Sequence, residues 1–83
     1  MSAKALLLAT LTFGTNAPQV VTTTNVLDDV SECRPAMHQI AEHHNLKNNI
    51  WSQGKEYLKA RDTVTRDGKS IVVILNVSCK ELK

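Results

Sequence analysis

The dipeptide Asp67-Gly68, which separates two runs rich in β-branched residues, constrains the fold more than any other feature of the sequence. A type I′ turn requires two residues with positive φ, and Asp-Gly is one of its preferred pairs. The sequence therefore predicts a β-hairpin over residues 56–79 that turns at Asp67-Gly68. With a two-residue loop, the predicted pairs are Arg66 with Lys69, Val64 with Ile71, Asp62 with Val73, Ala60 with Leu75, Leu58 with Val77, and Glu56 with Cys79. This register puts most of the apolar members on one face, as a half-buried hairpin requires.

Two more strands and a helix are predicted upstream of this hairpin. The odd positions from Ala5 to Phe13 are all apolar, and a period of two indicates a strand. After turn residues at 14–18, the Val- and Thr-rich segment 19–26 predicts a second strand. A helix is predicted over 32–44, with Asn45 as its left-handed end and residues 45–55 as the connection that follows. Ser31, Asp28 or Asp29 can cap its start, and the position of Pro35 favours Ser31. The apolar stripe of this helix consists of Cys33, Met37, Ile40, Ala41 and His44.

These elements predict a single small α+β domain over residues 1–83, because a chain of 83 residues has room for one modest core. The expected architecture has two layers, a four-stranded sheet in the chain order ββαββ and one helix packed on one face of it. Strands that are apolar on both faces belong at the centre of a sheet, so the first and last strands are predicted to form the central pair. The apolar side chains expected on the uncovered face are Leu6, Leu8, Val72 and Ile74.

The uncovered face leads to the main functional hypothesis. Apolar surface without cover is commonly an interface. Trp51 is expected to pack at the edge of the core, but if it is exposed it would be the residue that anchors a protein partner. The sequence therefore predicts a non-enzymatic interaction protein that forms a homodimer, or binds a protein partner, through Leu6, Leu8, Val72, Ile74, Tyr57 and Trp51. Small chains without a catalytic site are often accessory proteins of phages or mobile elements, although no residue here shows such an origin. A solvated sheet face with a few exposed aliphatic residues is the competing interpretation.

Single-stranded nucleic-acid binding by the predicted hairpin is the second hypothesis. The chain has a net charge of +2, but residues 45–83 carry eight basic and four acidic side chains, a net of +4, against −2 for residues 1–44. The candidate contacts are Tyr57, Lys59, Arg61, Arg66 and Lys69. Sheet-based binders of this kind stack bases on two or three aromatic rings, and lysines on an edge strand also protect against aggregation. The sequence therefore ranks nucleic acid below a protein partner.

Cys33 and Cys79 are the two cysteines of the chain, and their expected state depends on the compartment. A disulfide is expected after export, whereas two buried thiols are expected in a reducing cytoplasm. The Leu-rich run after Lys4 could open a secretory signal cleaved near Ala17, but threonines interrupt the run and Pro18 would hinder the peptidase. The sequence therefore favours a cytoplasmic protein with free thiols, with an exported, disulfide-bonded protein as the alternative. The apolar run is shorter than the roughly 20 residues of a membrane span, so no membrane association is expected.

Catalytic, metal and cofactor sites are not predicted. In a helix over 32–44, Cys33 and His38 would lie about 140° apart around the axis, so that no Cys-His pair forms. His38, His43 and His44 are spaced by five residues and one residue, whereas metal chelation by a helix needs spacings of three or four. The sequence contains no Gly-rich loop of the kind that binds phosphate. The expected protein is therefore not an enzyme and carries no cofactor or metal.

Overall fold

The computed structural model describes residues 3–14 and 19–82. In chain order the elements are β1 (Ala5–Phe13), β2 (Gln19–Leu27), a 3₁₀ turn (Val30–Glu32), α1 (Cys33–His43), a second 3₁₀ turn (Lys47–Asn49), β3 (Ile50–Gln53), β4 (Tyr57–Arg66) and β5 (Lys69–Glu81). The described residues form an antiparallel five-stranded sheet in the order β2-β1-β5-β4-β3, with α1 on one face. The predicted small α+β fold is thus confirmed, with β1 and β5 adjacent at its centre. The predicted turn residues 15–18, with the possible cleavage point at Ala17, lie outside the described residues.

The fifth strand, β3, corrects the prediction of a four-stranded sheet. It has only four residues and pairs with β4 through Ile50 to Ala60, Ser52 to Lys59 and Gln53 to Leu58. The register shifts between Ile50 and Ser52, which is the signature of a β-bulge. A strand this short, with its alternation broken by a bulge, gives no clear period of two in the sequence.

The hairpin of β4 and β5 is confirmed residue by residue. Asp67 and Gly68 have φ of 54° and 74°, the left-handed values that a type I′ turn requires. The predicted pairs from Arg66 with Lys69 to Leu58 with Val77 are all present. Beyond the end of β4, the Cys79 N–H donates to the Glu56 carbonyl at 2.9 Å. Local turn chemistry therefore sets the register of the two longest strands.

The ends of α1 correct one prediction and confirm another. Asp29, rather than Ser31, is the N-cap of the 3₁₀ turn that leads into α1, because the Ser31 N–H donates to Asp29 Oδ1 at 3.2 Å. The N-cap residue of α1 itself is Glu32, which makes no side-chain capping hydrogen bond. The extra 3₁₀ turn ahead of the helix places Ser31 inside a helical turn, where its side chain cannot act as the N-cap. At the other end Asn45 has φ of 59°, the left-handed conformation predicted for it.

The core lies between α1 and one face of the sheet. Its buried members are Ala5, Leu7, Ala9, Cys33, Met37, Ala41, Leu46, Leu58, Ala60, Leu75, Val77 and Cys79. Of the predicted stripe on α1, Ile40 is half-buried and His44, just past the last residue of the helix, is exposed. Cys33 and Cys79 form a disulfide with 5.9 Å between their Cα atoms, which ties the start of α1 to the end of β5. The preference for free thiols is therefore wrong, because packing of the helix on β5 brings together two cysteines 46 residues apart in sequence.

The sheet is much longer than the helix that covers it. The 11 residues of α1 span about 16 Å at the α-helical rise, whereas the 13 residues of β5 span about 43 Å. The molecule is accordingly elongated, with principal extents of 52 × 23 × 17 Å. The predicted register puts Val64, Ile71 and Val73 on the helix side, but Val64 is 40% exposed and Ile71 and Val73 are half-buried, because α1 does not extend over them. Within residues 3–14 and 19–82, the helices are too short to cross a membrane.

Candidate binding surface

The face of the sheet opposite α1, called the open face below, is where the structure places the predicted interaction residues. Cross-strand partners point to the same side of a sheet, so the register defines its members. Rows across β2, β1, β5 and β4 contain Val26, Leu6 and Lys80; Thr24, Leu8, Ser78 and Tyr57; Thr22, Thr10, Asn76 and Lys59; and Val20, Thr12, Ile74 and Arg61. Val72 with Thr63, and Ser70 with Thr65, extend this face toward the hairpin turn.

The apolar residues predicted for the centre of this face do lie there. Leu6 and Leu8 are 38% and 37% exposed, while Val72 and Ile74 are half-buried by their neighbours. Threonines and other small polar residues occupy many of the positions between them. The apolar surface is therefore divided into small patches, and it is less continuous than the sequence suggested.

Trp51 is the most exposed large apolar side chain on the described part of the chain, at 63%, so the expectation that it packs at the edge of the core is wrong. It lies at the bulge of β3, between the paired residues Ile50 and Ser52. Bulges commonly redirect a side chain at a sheet edge. The Lys59 ammonium lies 5.6 Å from the centroid of the indole ring, within the range of a cation–π contact. The bulge thus holds the single tryptophan of the chain at the edge of the open face, beside a cation.

Tyr57 is the first residue of β4 and is 41% exposed. Its hydroxyl accepts a hydrogen bond from Ser52 Oγ at 3.2 Å. Its ring also packs against the backbone of Gly54, where a Cβ atom would lie 2.6 Å from the ring, and the Gly54 N–H donates to the Tyr57 carbonyl at 2.9 Å. Gly54 is needed here for close approach, and the turn between β3 and β4 fixes the orientation of Tyr57.

A groove of about 630 Å³ lies beside Trp51. Its lining residues are Asn49, Trp51, Arg61, Asp62, Thr63 and Ile74. Arg61 and Ile74 are cross-strand partners on the open face. The Asp62 side chain belongs to the helix side by alternation, and its Oδ1 accepts a hydrogen bond from the Thr63 N–H at 2.8 Å. The groove therefore offers an indole wall, an aliphatic floor and a guanidinium, a combination suited to an apolar or aromatic group next to an anion.

The charges on the open face are of one sign. Among the strand positions described in the structure, those on this face carry Lys59, Arg61 and Lys80 and no carboxylate. Trp51, Tyr57, Lys59 and Arg61, called the anchor cluster below, gather on β3 and β4. Arg66 and Lys69 pair with each other on the opposite side of the sheet, because their alternation differs from that of Tyr57, Lys59 and Arg61. The five residues proposed to contact nucleic acid are therefore divided between two faces.

The histidine, cysteine and carboxylate side chains are the groups that acid–base or metal chemistry would use. No group of three or more His, Cys, Asp or Glu side chains there is arranged to hold a metal ion. His43 and His44 lie with ring centroids 5.1 Å apart. Partial burial lowers the pKa of His44 below the ordinary value of 6.5, and the neighbouring His43 lowers it further. Both cysteines are oxidised, so neither provides a thiolate nucleophile.

Comparisons with protein-family models, with curated proteins and with solved structures found no match to this chain. The geometry of the open face therefore carries the functional proposal. Asn49 and Thr63 also line the groove, but the sequence does not predict this, since neither belongs to a motif and the groove depends on the bulge in β3. Of the five candidate nucleic-acid contacts, Tyr57, Lys59 and Arg61 lie together on one strand face.

Proposed function

We propose that this protein is a non-enzymatic interaction protein that binds a protein partner through its open face, with the anchor cluster at the centre of the contact. The observation that carries this proposal is the exposure of Trp51 at 63% beside a groove. Trp51 contributes little to the stability of the fold, because its large apolar surface remains exposed to water. If a partner buried this side chain, the removal of its apolar surface from water would contribute favourable free energy to binding.

The composition of the anchor cluster matches that of protein-binding hot spots. Trp, Tyr and Arg are the residue types most enriched among side chains that dominate binding energy. Here Trp51, Tyr57 and Arg61 lie on two adjacent strands, with the groove beside them. A partner residue with an apolar or aromatic side chain would fill the groove, and the polar rows of the open face would form a rim.

The charge of the open face favours a partner different from the chain itself at this surface. Face-to-face dimerisation would bring three basic side chains from each copy to one interface, with no carboxylate from the described strand positions to pair with them. Like charges across an interface are unfavourable, whereas complementary potentials speed association and fix orientation. An acidic protein surface is therefore the expected partner.

A comparative affinity capture tests this proposal. Tagged wild type, Trp51→Ala and the control Arg66→Ala are incubated with extract of the source organism, and bound proteins are quantified by mass spectrometry. We expect a protein retained by wild type and by Arg66→Ala but depleted about tenfold or more by Trp51→Ala, the loss typical of a hot spot. Retention of the same proteins in equal amounts by all three would contradict the proposal.

Single-stranded nucleic acid is a second candidate, favoured by the absence of carboxylates from the described strand positions of the open face. In such a complex, bases would stack on Trp51 and Tyr57, and phosphates would lie near Lys59 and Arg61. Because Trp51 is the single tryptophan, its fluorescence reports such binding directly. Quenching by oligonucleotides at low salt that weakens steeply as salt rises would support this candidate, and unchanged emission at low salt would exclude it.

The disulfide bears on where the protein works. The N-terminal sequence favours the cytoplasm, whereas disulfides persist mainly in oxidising compartments. The bridge between Cys33 and Cys79 supports the exported alternative. Intact-mass measurement of protein purified from its natural source, without reductant, reports both the bridge and the N-terminus. A bridged chain that starts near residue 18 would support export, and a reduced chain that starts at Met1 or Ser2 would support the cytoplasm.

A further inference from the structure

We propose that β2 pairs antiparallel with β2 of a second copy of this chain, joining two five-stranded sheets into one of ten strands. Among residues 3–14 and 19–82, β2 is an outer strand of the sheet, and β1 is the strand it pairs with. An outer strand presents a row of unpaired N–H and C=O groups that can pair with another chain. This surface is separate from the anchor cluster, and the proposal does not depend on the function proposed above.

The β2 edge lacks the features that normally prevent such pairing. Its nine residues, Gln19–Leu27, contain no charged residue and no proline. Its register with β1 is continuous from Gln19 to Leu27, without a bulge. Proteins usually protect an edge with charges, prolines, bulges, short strands or a covering element. A neutral edge of nine residues, mostly Val and Thr, is therefore well suited to accept another strand.

The opposite edge of the sheet shows the contrast. β3 has four residues, is interrupted by a bulge and is followed after one residue by Lys55. A short and irregular edge offers too few regularly spaced groups for strand addition. The chain thus has one protected edge and one unprotected edge, which would limit association by strand pairing to a closed dimer.

The sequence of β2 also fits pairing with itself. A twofold axis normal to the sheet must place one residue opposite its own copy, and with Thr23 on the axis the strand pairs along its whole length. Thr22 then faces Thr24 of the second copy, and Val20 faces Val26. Thr–Thr and Val–Val are favourable cross-strand pairs. All the side chains in these pairs are exposed in the single chain, so pairing would cover surface that is now hydrated.

The absence of charge favours a second copy as the occupant. In a twofold contact each residue near the axis meets its own kind, so any charge there would be repelled by its copy. No such repulsion arises along Gln19–Leu27. On the helix side, Thr23 lies beside Gln39 and Ile40 in a groove between β2 and α1, so the helix leaves room next to the edge. The dimer would carry both open faces on the same side of the joined sheet, with the two β4 strands about 34 Å apart at the usual strand spacing.

Sedimentation equilibrium on charge variants tests the proposal. Wild type is expected to sediment as a dimer at micromolar to millimolar concentration. Thr23→Lys, which sets lysine opposite lysine, should weaken the dimer roughly tenfold or more, and Thr23→Glu should do the same. An equimolar mixture of the two variants should recover the dimer. The matched control is Thr65→Lys, because Thr65 is also an exposed threonine but lies on β4. This variant should sediment like wild type.

Circular dichroism establishes that each variant is folded, and Thr24→Lys replaces Thr23→Lys if the latter does not fold. A wild type that remains monomeric across the concentration range overturns the proposal. So does a Thr23→Lys variant that dimerises as well as Thr65→Lys, or a mixture of Lys and Glu variants that stays monomeric. Loss of the dimer in both single-charge variants, with recovery on mixing, supports the stated register.

Discussion

Removal of the Cys33–Cys79 bridge should cost this protein a large part of its stability. The bridge closes a loop of 46 residues between the start of α1 and the end of β5. In the chain-entropy model, a cross-link over that span destabilises the unfolded chain by about 4 kcal/mol. An 83-residue domain typically has about 4–12 kcal/mol of total stability, from about 0.05–0.15 kcal/mol per residue. The double variant Cys33→Ala/Cys79→Ala is therefore expected to be marginally folded.

Thermal unfolding followed by circular dichroism measures this effect. The entropy of unfolding is about 0.17 kcal/mol/K for this length, so a loss of about 4 kcal/mol corresponds to a drop in Tm of about 20 °C. Wild type reduced in denaturant and refolded under reductant is the control, because it retains both buried sulfur atoms without the cross-link. We expect reduced wild type and the double variant to fall by similar amounts. A drop below about 5 °C in both would refute the entropic argument, and a drop confined to the variant would assign the effect to packing.

Three smaller predictions concern the turn at Gly68, the Asp29 cap of the 3₁₀ turn before α1, and the pKa of His44. Gly68→Ala should destabilise by about 1–2 kcal/mol in chemical denaturation, because a Cβ is strained at φ of 74° although no atom lies within 4 Å of it; an unchanged midpoint would mean that the turn relaxes. Asp29→Ala should cost about 0.5–2 kcal/mol by removing the cap on Ser31, and Asp29→Asn should retain most of that free energy. The lowered pKa of His44 means that the folded chain binds fewer protons than the unfolded chain, so stability should fall as pH drops below 6.5. His44→Gln should flatten the dependence of Tm on pH over that range, and an unaltered profile would show that other groups cause it.

Local chemistry explains why the β4–β5 hairpin could be predicted and β3 could not. Asp67-Gly68 specifies its turn without help from the rest of the chain, and the register follows by counting residues. β3 forms because β4 is available to pair with it, and its bulge removes the alternation that would signal a strand. The Cys33–Cys79 bridge likewise depends on how α1 packs on β5, which no local pattern shows.

The candidate site was predictable to the extent that strand alternation applies. Tyr57, Lys59 and Arg61 share parity on β4 and lie together. Arg66 has the opposite parity and lies on the other side of the sheet, away from these three residues. Counting residues along β4 already shows this in the sequence. The exposure of Trp51 was not predictable, because a bulge sets the direction of its side chain. The exposure of Val64 was not predictable either, because it depends on where α1 lies along the sheet.

Photo-crosslinking at two neighbouring positions of β4 tests the central claim most directly. Thr63 lies on the open face and lines the groove, whereas Val64 points to the helix side, and both are exposed. A benzophenone amino acid is placed at either position in otherwise wild-type protein, which is then irradiated in extract of the source organism. We expect a defined protein adduct from position 63 and little or none from position 64. Adducts from position 64 alone, or from neither position, would contradict an open face that binds a protein partner.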